Sequence, residues 1–441
     1  MRTGGNHIGL PLHNGVFVGA DLCVCPDSHV EIILRRHLPS ARAEFMIAPP
    51  PAGSPRFARG TAPRSRSVPP ASRGNLKEGV VNHLHRQNRY SIPMHRVGIV
   101  GATGYTGSEL VRLLSGHPQV QITMLVSRSE TGKPIQSLLP HLNGLSLPTL
   151  RAFDPDALAA QCDLVFLAGE TGFAMEHAPA LLERGLKVID LSADFRLKDP
   201  AQFADWYGKA HTASEWLAEA VYGLPELTPT DAYKNARLIA NPGCYPTAAG
   251  LALAPLMQMR IAEPDGIIID AKSGVSGAGR SRVSVEYLFT ELDENFKAYG
   301  VEKHRHTPEI EQTLRAFSEC PVRVRFTPHL VPMTRGILCT AYARLRESIT
   351  AETLHAHYTA FYRDQPFVIV RPLGEYPATR EVYGSNRCDI GLTVDMRTQT
   401  AVVISVIDNL VKGAVGQAIQ NMNLLLGLPQ TLGLPIAGMS P

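Results

Sequence analysis

The stretch Asn241-Pro-Gly-Cys-Tyr-Pro-Thr247 puts a single cysteine where a thiol can act as a nucleophile. Pro242 and Gly243 read as a tight turn. The apolar run Ala248 to Ala254 then reads as a helix whose first turn tolerates Pro246, because the missing N–H would have been unpaired anyway. Cys244 therefore stands among the free N–H groups of a helix start, which predicts a thiol lowered toward the thiolate. Cysteines before apolar runs are more often small buried caps, so the chemical reading needs a base elsewhere in the chain. His304-Arg305-His306-Thr-Pro-Glu309 offers one. Imidazoles two residues apart could ligate a metal, but a third ligand at matching spacing is missing, so no metal is expected. An imidazole titrates near neutrality and can exchange a proton with a thiol. His304 and His306 are both candidates.

A thiol and an imidazole need a reaction partner, and a second motif indicates a dinucleotide. Val97-Gly-Ile-Val100 reads as a buried strand, Gly101-Ala-Thr-Gly-Tyr-Thr-Gly107 as a turn and Ser108 to Leu114 as a helix. In that context Gly101 permits the turn, Gly104 lets backbone approach a pyrophosphate, and Gly107 lets helix and strand pack closely. Thr103, Tyr105 and Thr106 share the loop. The next strand, Gln121 to Val126, ends in Ser127-Arg128-Ser129. An acidic residue there would hold the ribose 2′-OH of NAD; hydroxyls and an arginine suit the 2′-phosphate of NADP. A second glycine-rich loop, Ser273-Gly-Val-Ser-Gly277-Ala-Gly279-Arg280, could turn several N–H groups toward an anion, with Ser273, Gly274 and Gly277 facing the cofactor.

The elements that must position these residues follow from pattern. Strands alternate with helices up to the cysteine, giving an α/β fold with a Rossmann-type doubly wound parallel sheet. After it, strand-like runs at 266–271, 322–326, 337–342, 367–370, 389–394 and 401–406 outnumber helices, giving an α+β catalytic domain with a mixed sheet. The boundaries are 94–243 for the NADP-binding domain, 244–406 for the catalytic domain, 407–427 for a helix packing back on the first domain, and 428–441 for a tail. Residues 1–93 are Pro- and Arg-rich with little periodicity, and read as a disordered extension. Translation starting at Met94 is the preferred account, ahead of a targeting segment or a functional tail. Residues 1–94 carry 12 Lys+Arg against 5 Asp+Glu, and the body 31 against 35. That acidic body gives no case for nucleic acid. No apolar run approaches the ~18 residues a membrane span needs. Seven cysteines without CxxC spacing suit a reduced cytoplasmic setting.

These motifs in this order resemble the N-acetyl-γ-glutamyl-phosphate reductase family, in its longer, type 1 form. To the loops above are added Asp190-Leu-Ser-Ala-Asp-Phe-Arg196, Tyr222-Gly-Leu-Pro-Glu226, His329-Leu-Val-Pro-Met-Thr-Arg-Gly336 and Asp408-Asn-Leu-Val-Lys-Gly413. The resemblance spans about Arg96 to Gly427. It implies NADPH-dependent reduction of an acyl phosphate through a cysteine thioester, with release of inorganic phosphate, in arginine biosynthesis. It also implies a homodimer or homotetramer, and Asn386 near the cofactor. The two anionic ends of such a substrate call for cations, for which Arg196, Arg305 and Arg335 are candidates, with Arg280 a further one. One departure is Ala168-Gly-Glu-Thr-Gly172, where many members carry a Pro-His-Gly type turn. Aspartate-semialdehyde dehydrogenase is the nearest enzyme alternative. A non-enzymatic NADP sensor is the alternative of another class, although a sensor has no use for Cys244. The Tyr299/Lys303 spacing of short-chain dehydrogenases is broken by Gly300 and reads as chance.

Overall fold

The computed structural model describes residues 94–439. The expectations for 1–93 and for the last two residues of the tail lie outside the described residues.

The first domain is built on strands that are apolar on both faces. They are β1 (His95–Val100), β2 (Val120–Val126), β3 (Leu150–Arg151), β4 (Leu164–Leu167), β5 (Lys187–Asp190), β6 (Val221–Tyr222) and β7 (Leu238–Ala240). Runs such as Leu164-Val-Phe-Leu167, completely buried, can sit only in a sheet covered on both sides. The order is β3-β2-β1-β4-β5-β7-β6 with every pair parallel. Connections run through α1 (Tyr105–Leu114), α2 (Pro155–Gln161), α3 (Phe173–Glu183), α4 (Pro200–Tyr207) and α5 (Asp231–Lys234). Strand order reverses between β1 and β4, so a crevice opens beyond their carboxyl ends. Gly101 and Ala168 lie there. A Cβ on Gly101 would meet the Ala168 carbonyl oxygen at 2.4 Å, and its φ of +82° lies in the region that favours glycine.

The second domain starts at α6 (Cys244–Gln258), whose residues 245–257 are all buried. A helix apolar all round belongs inside. It lies between α8 (Thr307–Arg315), α9 (Ala351–Phe361) and a seven-stranded sheet. The chain runs through β8 (Asp265–Ser273), α7 (Phe289–Leu292), β9 (Lys297–Ala298), α8, β10 (Arg323–Leu330) and β11 (Ile337–Arg344), then α9, β12 (Val368–Val370), β13 (Cys388–Asp395) and β14 (Thr400–Ile407). Sheet order is β12-β13-β14-β11-β8-β10-β9. The β8–β10 and β12–β13 pairs are parallel and the rest antiparallel, a mixed sheet. From α9, Tyr358 donates to the Ala252 carbonyl at 2.7 Å and Tyr362 to that of Leu251 at 2.5 Å, tying the two helices.

The single helix expected within 407–427 is divided. Val411–Val415 forms a π-helical turn and Gly416–Leu425 forms α10. Asp408 bends the entry, its carboxylate accepting from the N–H groups of Leu410 and Val411. Val411, Ala418, Ile419 and Met422 join the core of the first domain beside Val97, Ile99 and Leu110. The helix ends where Gly427 takes φ +71°. Beyond it Leu434 buries in that core, and the Pro435 carbonyl accepts from the Asn386 N–H.

Candidate active site

Cys244 is the first residue of α6, half-buried, after Gly243 at the N-cap. Several elements fix this turn. Arg196 donates through Nε to the Asn241 carbonyl at 2.8 Å and through Nη2 to that of Leu191 at 3.0 Å. Asn421 on α10 donates to Asn241 Oδ1 at 2.9 Å, and Asn241 Nδ2 donates to the Ala414 carbonyl. The π-helical turn closes over the cysteine: a Cβ on Gly413 would meet Cys244 Cβ at 2.8 Å. That turn is held by Lys412, which donates to Glu226 at 2.7 Å and Gln420 at 2.9 Å with both charges completely buried. Such π segments recur at functional sites.

His306, Arg196 and Glu309 converge on Gly243. A Cβ there would lie 2.7 Å from His306 Nε2, 3.0 Å from Arg196 Nη1 and 3.1 Å from Glu309 Oε2, so the position demands glycine. Glu309, fully buried in the first turn of α8, accepts from the Gly243 N–H at 2.8 Å and from the Tyr222 hydroxyl at 3.0 Å. His306 is the histidine at the cysteine turn. His304 stands behind it, its Nδ1 accepting the His306 N–H at 3.2 Å. Tyr245, Phe326 and Tyr299 complete an aromatic shelf around the two rings.

The lowered thiol predicted from the helix start is corrected by burial. Desolvation pushes Cys244 up to about 11, outweighing the pull of Arg196 and the helix N–H groups. Burial likewise drives His306 well below the usual imidazole range, helped by His304, Arg196 and Arg305. Burial thus favours the neutral form of both Cys244 and His306.

The crevice at the reversal fits a dinucleotide. A Cβ on Gly107 would strike the Gly101 carbonyl oxygen at 2.1 Å, so only glycine lets α1 approach β1 this closely. Gly104, by contrast, meets nothing nearer than 3.6 Å and leaves its backbone open. Among the described residues no side chain caps α1 at Gly104, so its first-turn N–H groups stay available to a ligand. Tyr105 is exposed and Thr106 half-buried on that turn. Thr103 Oγ1 lies 3.4 Å from Ser127 Oγ, and Arg128 is exposed beside it. The Ala168–Gly172 departure borders this crevice. It is secured from below by Asp194, which accepts from the N–H groups of Gly172 and Met175.

Other expected residues are placed differently. The Gly274, Val275 and Ser276 N–H groups already donate to the carbonyls of Gly336, Met333 and Thr334, so this stretch is no anion nest. Ser273 Oγ turns to the Gly274 carbonyl, and Gly277 is exposed. Asn386 is fully buried; its Nδ2 donates to Gln420, and its Oδ1, without a partner among the described residues, lies against Gly416. Arg335 does not face the cysteine as a free cation. It makes two hydrogen bonds to Glu109 on α1, at 2.9 and 3.2 Å, and lies 3.7 Å from Asp408. Of the three candidate substrate arginines, Arg305 alone is exposed. Sequence reasoning passed over Glu309, Tyr222 and Lys412 as site residues, although each lies in a quoted motif. An acid directly after Thr-Pro at a helix start was the available signal for Glu309. Among the described residues no three His, Cys, Asp or Glu cluster to hold a metal, and no helix is long and apolar enough to cross a membrane.

Family models described as the semialdehyde dehydrogenase NAD binding domain and dimerisation domain match residues 96–236 and 244–409. The chain is 56% identical over 344 residues to an N-acetyl-gamma-glutamyl-phosphate reductase of Symbiobacterium thermophilum, covering 78% of this chain and 98% of that one. It is 52% identical over 348 residues to that of Brevibacillus brevis, covering 79% and 100%. Among solved structures, aspartate semialdehyde dehydrogenase II of Vibrio cholerae complexed with ASA superposes with a TM-score of 0.59 at 19% identity, over 76% of this chain and 98% of that one. The Candida albicans enzyme with NADP does so with 0.56 at 17%, over 76% and 98%. At such identity these structures share the fold.

Proposed function

The chain belongs to the N-acetyl-γ-glutamyl-phosphate reductase family, and from that premise we propose that it reduces N-acetyl-γ-glutamyl phosphate to N-acetylglutamate 5-semialdehyde with NADPH. The reaction releases inorganic phosphate, passes through a thioester on Cys244, and serves arginine biosynthesis in the cytoplasm. The observation that carries this reading is the convergence of His306 Nε2, Arg196 and Glu309 on the residue preceding Cys244.

Because thiol and imidazole are both neutral at rest, the proton moves as the substrate is attacked. Cys244 Sγ bonds to the acyl carbon, its proton passes to His306 Nε2, and the carbon–oxygen bond to phosphate breaks. Bound NADPH supplies the hydride that reduces the resulting thioester carbon. First-turn N–H groups of α6 stabilise the oxyanion this creates. The oxyanion then re-forms the carbonyl as the carbon–sulfur bond breaks, and His306 returns its proton to the departing sulfur, which leaves aldehyde and thiol. His304, bonded to the His306 backbone, is a positioning residue. So is Glu309, which fixes the turn through the Gly243 N–H. Arg305 is the cation for an anionic end of the substrate. NADPH rather than NADH is supported by Ser127-Arg128 and by the lack of an acid at 127–129. The cofactor would be held by the Gly101–Gly107 turn and the start of α1. Assembly as a homodimer or homotetramer goes with this reading.

Cys244→Ala tests it. NADPH affinity, measured by fluorescence titration, stays as in the parent enzyme, whereas turnover of N-acetyl-γ-glutamyl phosphate falls by on the order of 10⁴-fold or more. Turnover retained within tenfold would refute the thioester.

A further inference from the structure

The loop after β8 carries Arg280, which sequence reasoning considered for the substrate. In the structure it reaches the other domain. Its Nη1 donates to the Thr103 carbonyl at 2.9 Å, inside the Gly101–Gly107 turn. The adjacent Ser281 donates to Glu170 at 3.3 Å, on the loop after β4. The two contacts seat this catalytic-domain loop on both loops that border the crevice. We propose that Arg280 grips the 2′-phosphate of NADPH together with Arg128, so that the choice of NADPH over NADH is made by one arginine from each domain.

Three observations place Arg280 at the adenosine end of the crevice. Thr103, which it touches, shares a hydroxyl contact with Ser127 at the end of β2, where the ribose is read. Glu130, three residues further on, feels its charge: the carboxyl is held below the usual range first by Lys133 and more weakly by Arg280. Lys133 takes up that carboxylate at 2.7 Å, so Glu130 does not neutralise Arg280. The guanidinium is exposed, and among the described residues its one hydrogen bond is to Thr103, so most of its five donors stay available. A planar fork of donors matches a dianionic phosphate, whereas a bare ribose hydroxyl offers it no charge to pair with. Cofactor choice then becomes linked to domain contact, since the phosphate draws the catalytic-domain loop onto the glycine turn.

This inference rests on the NADPH reading above, and its test separates the two. Full-length Arg280→Ala and Arg128→Ala are titrated with NADPH, NADH and adenosine 2′,5′-bisphosphate at fixed ionic strength, with circular dichroism to confirm folding. The expected result for Arg280→Ala is an approximately tenfold weaker Kd for NADPH and for the bisphosphate, with NADH unchanged. Arg280→Lys recovers part of the loss. Equal weakening of NADPH and NADH would mean that Arg280 only braces the loop, and no change would mean that it touches no phosphate; either overturns the proposal. If Arg128→Ala discriminates between the two nucleotides and Arg280→Ala does not, this inference alone fails. If neither does, the NADPH reading fails and takes it along.

Discussion

The crevice for the nucleotide and the turn that carries the cysteine are built on opposite plans. Around the glycine turn the charged groups are exposed and lightly bonded: Arg128 and Arg280 face solvent, and the first N–H groups of α1 have no side-chain cap. Around Cys244 the polar groups are buried and committed to one another. Glu309, Lys412 and Glu226 are all at or below 5% exposure, and Asn241 and Asn421 are as deeply buried. A ligand that arrives and leaves needs donors held in reserve. On the proposed thioester route, a sulfur that must meet one carbon at bonding distance needs its backbone fixed beforehand, and misplacement there costs rate. Substitutions on the two sides should therefore fail differently: at the crevice in affinity, at the turn in stability and turnover.

The largest effect is expected at Lys412. Lys412→Met leaves the Glu226 charge buried with only the Gln420 amide donating to it, and breaking one partner of such an ion pair costs about 3–5 kcal/mol. Urea unfolding of the variant should show a loss of this size, and Lys412→Met with Glu226→Gln should recover much of it. A loss below about 1 kcal/mol would place the turn in the same lightly bonded class as the crevice, and the contrast would be gone.

Glu109 tests the joint between the two regions. It sits on α1 behind the glycine turn and receives Arg112 and, from the catalytic domain, Arg335. Burial raises its carboxyl, yet the two arginines overcome that and hold it at about 2. A carboxylate whose folded value is depressed contributes stability above its unfolded value near 4.5 and loses it as pH falls toward 2. The shift corresponds to about 3 kcal/mol. Glu109→Gln should therefore unfold more easily than the parent at pH 7 by roughly that amount. The gap should narrow steadily below pH 4.5, read by urea titration at each pH. A gap that ignores pH would mean that Glu109 matters for packing and not for charge.

This contrast also sets how much could be read in advance. The crevice was legible because its function lies in local backbone: Gly101 needs its positive φ, Gly107 its missing Cβ, and both needs show as spacing. Strand and helix alternation gave the parallel sheet, and the β-rich second half gave the mixed one, because burial on two faces or one leaves different patterns. The turn was legible only as far as Cys244 and the histidine pair. Its supports come from residues far apart in sequence, Glu309 at 66 positions from Gly243 and Asn421 at 180 from Asn241, and no local period encodes such meetings. Arg335 misled for the same reason: a lone arginine in a loop does not show that a buried glutamate waits on another domain. The thiol misled because a helix start argues for ionisation while desolvation, which opposes it, depends on how much the fold piles on top.

The smallest effect sharpens that last point. With Cys244 pushed up to about 11, iodoacetamide reacts with only the small ionised fraction at neutral pH. Alkylation should then climb about tenfold per pH unit from 7 to 10, since each unit below the titration point costs 1.36 kcal/mol in thiolate population. Peptide mass spectrometry that follows the Cys244 peptide alone removes the contribution of the exposed Cys320. A rate that levels off below pH 8 would mean that the helix N–H groups and Arg196 outweigh burial, and that the turn stores a ready thiolate. The tenfold climb means instead that burial keeps the sulfur protonated at rest, as the proposed transfer to His306 during attack requires. On that outcome His306→Asn should leave the alkylation slope intact while lowering turnover, because alkylation samples the thiolate already present and turnover depends on a base acting in the attack.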